Sequence, residues 1–226
     1  MDIESKVNKL INEGFEFKLE QYIATGFAIF KREYGLFIGF SIVGVLISMA
    51  AAFIPVVGSI AQIVLTGVLN LGYFYVARKI KLGKKPTFED FFKPFNSIGK
   101  IAGVALLTSL VTIIGFICLI IPGIYLTVAW SLAIPIIYFY SGIGVWDSME
   151  ASRRIVSKHW LSFFLLVICL LFINIAGALC LVVGLLVTIP VSHLIMYAAF
   201  DDIMKPDEQN QENNNEDDIP LEELND

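Results

Sequence analysis

Of the 226 residues, 57% are hydrophobic and 16% charged, whereas soluble domains carry roughly a quarter charged residues. That composition excludes an ordinary water-soluble domain, and a net charge of −5 excludes a basic nucleic-acid binder. The charge is also divided: residues 201–226 hold eleven acids and one lysine, so the body before them is mildly basic.

The chain opens with a charged, amphipathic arm over residues 1–34 and no apolar core of signal-peptide length. Val7, Leu10, Ile11, Phe15, Leu19, Tyr22, Ile23 and Phe27 recur at helical spacing. Three blocks then follow without a single Asp, Glu, Lys or Arg, at 35–77, 101–146 and 160–200. A helix needs about 20 apolar residues to cross a bilayer core, so each block is long enough for two crossings. The middle one would form a rod of ~69 Å if continuous, more than twice the ~30 Å hydrocarbon thickness. It therefore has to fold over, and Pro122-Gly123 in "GFICLIIPGIYLTVAWSLAIP" supplies the turn. Pro55 and Gly58 do the same in the first block, and Gly184 in the third. The resulting fold class is an all-α transmembrane bundle of three hairpins. Its six spans are expected near 36–54, 58–77, 101–121, 125–141, 161–181 and 184–200, making 35–200 the membrane domain.

Each hairpin is preceded by an amphipathic segment expected to lie in the membrane interface. The second such segment carries Phe88, Phe91, Phe92 and Phe95, with Thr87 and Asp90 spaced as a capping box. The third stripes Val145, Met149, Ser152, Val156 and Trp160, with Asp147 and Glu150 as its cap. Residues 201–226 are too polar to bury themselves and are expected to form a disordered acidic tail.

Orientation follows from the cations. The hairpin turns hold none, whereas the connection 78–100 includes Arg78, Lys79, Lys84 and Lys85, and 147–159 holds Arg153, Arg154 and Lys158. The positive-inside rule puts these, and both termini, in the cytoplasm. In a bacterium that membrane is the cytoplasmic one. The same seven cations are candidate contacts for anionic lipid headgroups, at ~1 kcal/mol each near the surface; otherwise they only enforce topology. Tyr34, Tyr73, Tyr75, Tyr138, Tyr140 and Trp160 fit an inner aromatic belt, and Tyr125 and Trp130 an outer one.

Polar residues inside the spans are few. Gly58, Gln62, Thr66 and Asn70 share one face of the second span, and Gly44, Ser48 and Ala52 form a small-residue face on the first. Asn174 is a lone polar residue in the fifth span, and His193, in the sixth, is the only histidine inside a span. Gln62, Thr66, Asn70, Asn174 and His193 either tie helices together, at ~0.6–2 kcal/mol each, or line a hydrated path. The lack of any intramembrane acid or base favours the first reading. No paired carboxylates, Cys/His or Ser/His/Asp arrangement points to catalysis. Two histidines do not make an iron site, and Cys118, Cys169 and Cys180 read as packed small hydrophobes. No enzyme activity, metal or cofactor is expected.

The stretch carrying Pro122, Gly123, Tyr125, Leu126, Trp130, Ala133 and Pro135, followed by Ala151, Ser152, Arg153, Lys158 and Trp160, resembles a group of bacterial six-span membrane proteins. That group includes the membrane domain found ahead of some glycerophosphodiester phosphodiesterases. The resemblance implies architecture and location, and no phosphodiesterase domain follows here. The reading favoured at this level is a non-enzymatic protein that organises lipid or a protein partner, with a transporter or permease for a small or amphiphilic molecule as the alternative. Membrane lipids are the expected partners, followed by a basic protein met by the acidic tail and a second copy of the chain in a homo-oligomer. The permease alternative requires Gln62, Asn70, Asn174 and His193 to meet in one cavity.

Overall fold

The computed structural model describes residues 3–52, 57–180 and 183–205. Every regular element among them is helical, and six stretches are long and apolar enough to cross a membrane. The arm forms α1 (Ile3–Glu13) and α2 (Leu19–Arg32). The first hairpin is α3 (Tyr34–Ala52) and α4 (Val57–Lys81). A 3-10 helix, Phe88–Ser97, leads into α5 (Ile98–Cys118), α6 (Ile120–Ala129) and α7 (Ala133–Phe139). The amphipathic α8 (Val145–Lys158) precedes the last hairpin, α9 (Trp160–Leu179) and α10 (Leu185–Met204). Three hairpins, each entered through an amphipathic segment, are what the charge pattern predicts. Pro55 and most of the acidic tail lie outside the described residues.

The second hairpin turns at Leu119, whose extended backbone (φ −162°, ψ 142°) separates α5 from α6. Pro122 and Gly123, expected at the turn, are instead in the first turn of α6. Proline is tolerated there because the first helical N–H groups have no intrahelical acceptor to lose. Gly123 brings the two limbs together: a Cβ on Gly115 would stand 3.3 Å from the Gly123 backbone, and one on Gly123 would run into the Phe116 ring. Gly184 does sit at a turn, capping α10 at its start. A Cβ there would meet the Gly177 backbone of α9. Gly58 falls inside α4, buried in its first turn.

The fourth span is not one helix. After Ala129 the ladder slips, with Ser131 N–H donating to Val128 O (3.2 Å) and Ala133 N–H to Trp130 O (3.1 Å). This leaves the Ala129 carbonyl and the Leu132 N–H without partners in the span. One side chain serves both: Ser152 Oγ of α8 donates to Ala129 O (2.7 Å) and accepts from Leu132 N–H (3.2 Å). Ser152 is fully buried. Tyr125 OH lies 2.9 Å from Ser157 Oγ and its ring stacks on Trp160, while Trp130 packs beside Val104 and Met149. Tyr125 and Trp130 therefore keep company with α8 and the start of α9, not with a belt on the opposite face. The physical reason is length, because the ten residues of α6 reach only ~15 Å. The two halves of the resembling stretch thus pack against each other.

The amphipathic segments are docked rather than loose. α2 crosses α10 at Gly26, where a Cβ would stand 2.7 Å from the Ile195 nitrogen. Phe91 of the 3-10 helix is fully buried and stacks on Phe40 at 4.2 Å. Asp90 accepts from the Thr87 N–H and from Lys79 Nζ, each at 2.6 Å, so the expected capping box also clips this segment to α4. The Asp147 cap is different: α8 starts two residues earlier, after Gly144, and Glu150 takes a bidentate bond from Arg153 (2.8 and 2.6 Å). α10 runs on to Met204, placing Asp201 and Asp202 in a helix rather than in the tail. Burial of Asp201 is offset by Lys81, at 2.5 Å, and by the Tyr197 hydroxyl.

Packing is uneven along the spans. The largest buried side chains, among them Tyr22, Phe37, Phe91, Phe163 and Phe200, gather toward the charge-bearing end. At the hairpin tips Ile117, Ile121 and Leu179 are 79–80% exposed. The small-residue face of α3 meets α4 at Gly44, where a Cβ would stand 4.0 Å from Leu69 Cδ1, and Gly44 and Ser48 also border an apolar groove of about 600 Å³ among α3, α4 and α10.

Candidate functional site

An open-sided chamber of about 490 Å³ lies among α4, the break between α6 and α7, α9 and α10. Asn70, Ser131, Asn174, Ser192 and His193 bring polar atoms to it, among apolar walls that include Leu171, Ile189 and Met196. Among the described residues, no acid, lysine or arginine lines it.

Each polar group arrives for a local reason. Asn70 is on the chamber-facing side of α4, and Ser131 borders the chamber where the helix breaks. Asn174 is fixed by its amide nitrogen, which donates to Leu170 O (2.8 Å) and to Ser192 Oγ (2.7 Å). Ser192 in turn donates to Thr188 O (2.8 Å). His193 lies flat on Tyr73, with ring centroids 5.2 Å apart. The Tyr73 hydroxyl is 2.9 Å from Ser41 Oγ, which donates to Phe37 O. The imidazole is thereby oriented from α3 through α4.

Hydrogen-bonding capacity is left over. Asn174 Oδ1 and Ser131 Oγ are buried without a partner, and neither Asn70 nor His193 makes a hydrogen bond among the described residues. Leaving such a group buried and unmatched costs ~1–3 kcal/mol. The arrangement therefore suits a neutral guest with its own donors and an apolar body.

Three of the four residues set against the permease alternative, Asn70, Asn174 and His193, meet here. Gln62 does not: it is two helical turns nearer the tip, about 12 Å along α4 from Asn70, with its Oε1 buried and unpartnered. Thr66 faces the neighbouring apolar groove, which Asn70 also touches. Ser131, Ser192 and Tyr73 were not expected as site residues. Ser131 is a lone hydroxyl in "VAWSLAIP", and Thr188 and Ser192 are four apart on the α10 face that meets Gly177 and Asn174. That spacing is the signal sequence reading passes over.

Most of the candidate headgroup cations are occupied within the protein. Arg78 lies over the Phe139 ring at 5.1 Å, and Lys79 pairs with Asp90. Arg153 pairs with Glu150, Arg154 donates to Asn8 Oδ1, and Lys158 donates to Ile11 O. The hydrogen bond from Arg153 holds the Glu150 carboxyl below the usual glutamate range. Lys84 and Lys85 stand exposed beyond Gly83, whose positive φ ends α4.

Comparison of the chain with known families, curated proteins and solved structures finds no match.

Proposed function

We propose that the protein is a non-enzymatic, multi-pass protein of the bacterial cytoplasmic membrane that binds a small neutral or amphiphilic molecule and passes it through the bilayer. Both termini and the cation-rich connections face the cytoplasm in this reading. The observation that carries it is the convergence of Asn70, Ser131, Asn174 and His193, with unused hydrogen-bonding capacity, on a chamber without charge; Gln62, the fourth residue set for this reading, lies outside the chamber, so the convergence is of three of the four expected residues joined by Ser131. An interrupted span beside that chamber supports it, because transporters build midplane sites at discontinuous helices. A dry, purely structural cluster would have matched its polar atoms to one another. The resemblance of the 122–160 stretch to bacterial six-span proteins agrees with the location.

The test uses Ser131→Cys and Asn174→Cys in a chain whose Cys118, Cys169 and Cys180 are replaced by serine or alanine. In proteoliposomes, a small neutral water-soluble thiol reagent should modify both positions, and reagents bulkier than the chamber should not. If neither position reacts from either side of the membrane, the chamber is closed and dry and the permease reading fails. A second reading, a membrane organiser that gathers anionic lipid, is favoured by the exposed Lys84 and Lys85. It expects vesicle binding to weaken in a Lys84→Gln, Lys85→Gln variant without change in the labelling.

A further inference from the structure

A second cavity, about 510 Å³, opens at the charge-bearing end between α2 and the ends of α4 and α10. It is more polar than the chamber, and it contains both signs of charge: Arg32, Lys81 and Lys205 against Asp201 and Asp202. We propose that it is a specific site for a phospholipid headgroup carrying both a phosphate and an ammonium, with the phosphate on Arg32 and Lys81 and the ammonium on Asp202.

The partners present leave room for such a guest. Lys81 Nζ gives one of its three donors to Asp201, and half its side chain is exposed, so further donors point outward. Arg32 makes no hydrogen bond or ion pair among the described residues. Its flat guanidinium is suited to two phosphate oxygens at once. Asp202 accepts from the Tyr22 hydroxyl through Oδ2 (2.8 Å). Its Oδ1 forms a long ion pair with Lys18 Nζ (3.9 Å), beyond hydrogen-bond reach, so this oxygen keeps its hydrogen-bonding capacity for a closer ammonium that would displace Lys18.

The apolar parts agree. Ile29, Ile80 and Ala198 line the same cavity, and Ala28 and Phe27 on α2 are exposed beside it, where acyl chains would run. The cavity is also at the right depth, where charge-free span gives way to charged helix ends, the level at which headgroups sit. α2 forms its roof because Gly26 lets it settle onto α10. The amino-terminal arm thus acquires a role, completing a lipid site that the three hairpins alone leave open.

The experiment is native mass spectrometry of the full chain released from detergent, titrated with phosphatidylethanolamine, phosphatidylglycerol and phosphatidylcholine. The expected result is a saturable first site preferring phosphatidylethanolamine at least tenfold over phosphatidylcholine, whose methylated ammonium cannot donate to Asp202. Arg32→Gln should weaken binding of all three lipids about tenfold, and Arg32→Lys should restore part of it. Asp202→Asn should abolish the preference while leaving phosphatidylglycerol binding unchanged. Equal retention of the three lipids, or indifference to Arg32→Gln with unaltered thermal unfolding, would overturn the proposal. Inorganic phosphate or glycerophosphoethanolamine binding as tightly as the diacyl lipid would assign the site to a soluble phosphate instead. The result is independent of cysteine labelling in the chamber.

Discussion

Ser152→Ala is the sharpest single perturbation available. It deletes one oxygen atom from α8, yet that atom alone serves the two backbone groups released where the fourth span breaks. The site is fully buried, so water does not replace the hydroxyl. The Ala129 carbonyl and the Leu132 N–H are then left unmatched, at ~1–3 kcal/mol for each buried group. Partial recovery by re-forming a continuous ladder is opposed by the packing of Trp130 and Leu132 on either side. The expected loss is therefore about 2–4 kcal/mol, read as a shift in the reversible unfolding midpoint in mixed micelles. Ser148→Ala is the matched control. Ser148 is as deeply buried, but its hydroxyl donates to Val145 O within its own helix, and its removal should cost no more than ~1 kcal/mol. If the two variants unfold alike, Ser152 is a packed small residue and does not hold the break.

Gly184→Ala should destabilise the third hairpin by more than ~2 kcal/mol, because its methyl would meet the Gly177 backbone rather than a movable side chain. Gly35→Ala, with open space around it, should be neutral or slightly stabilising in the same unfolding measurement. Asn174→Leu removes the bonds to Leu170 and Ser192 but also the unmatched Oδ1. Its stability change should stay within ~1 kcal/mol, while labelling of Ser131→Cys by the neutral reagent falls sharply. Glu150 contributes stability above its unfolded value because its folded pKa is lowered by Arg153. That contribution is lost as pH falls through the depressed folded pKa, so Glu150→Gln should flatten the acid limb of the stability profile. With side chains about two-fifths exposed, the effect should stay below ~1 kcal/mol.

The hairpins were legible because charge is expensive inside a bilayer, and the chain announces each crossing by omitting it. The breaks within a hairpin were not. Pro122 looks like a turn because proline is read as a breaker, but in the first turn of a helix it breaks nothing. The real interruption, at 130–132, contains no proline or glycine. It exists because Ser152, twenty residues onward, supplies the missing partners, and a contact at that separation has no local signature. Chamber membership was legible in part. Asn70, Asn174 and His193 stand out because amides and imidazoles are rare in hydrocarbon. Ser131 and Ser192 do not, since serine is common in spans, where it can bond back to its own helix. Gln62 shows the opposite error: sharing a face with Asn70 does not mean sharing a depth.

The clustering of large buried side chains at one end has a mechanical corollary. Arg, Lys and ring-stacked aromatics tie the polypeptide to a single leaflet, whereas the three distal bends carry no ionic anchor to any headgroup plane. A thicker or thinner bilayer would therefore be met by those bends spreading or drawing together, at a cost of fractions of a kcal/mol per Å. The width of the groove beside α3 would follow the thickness of the surrounding lipid.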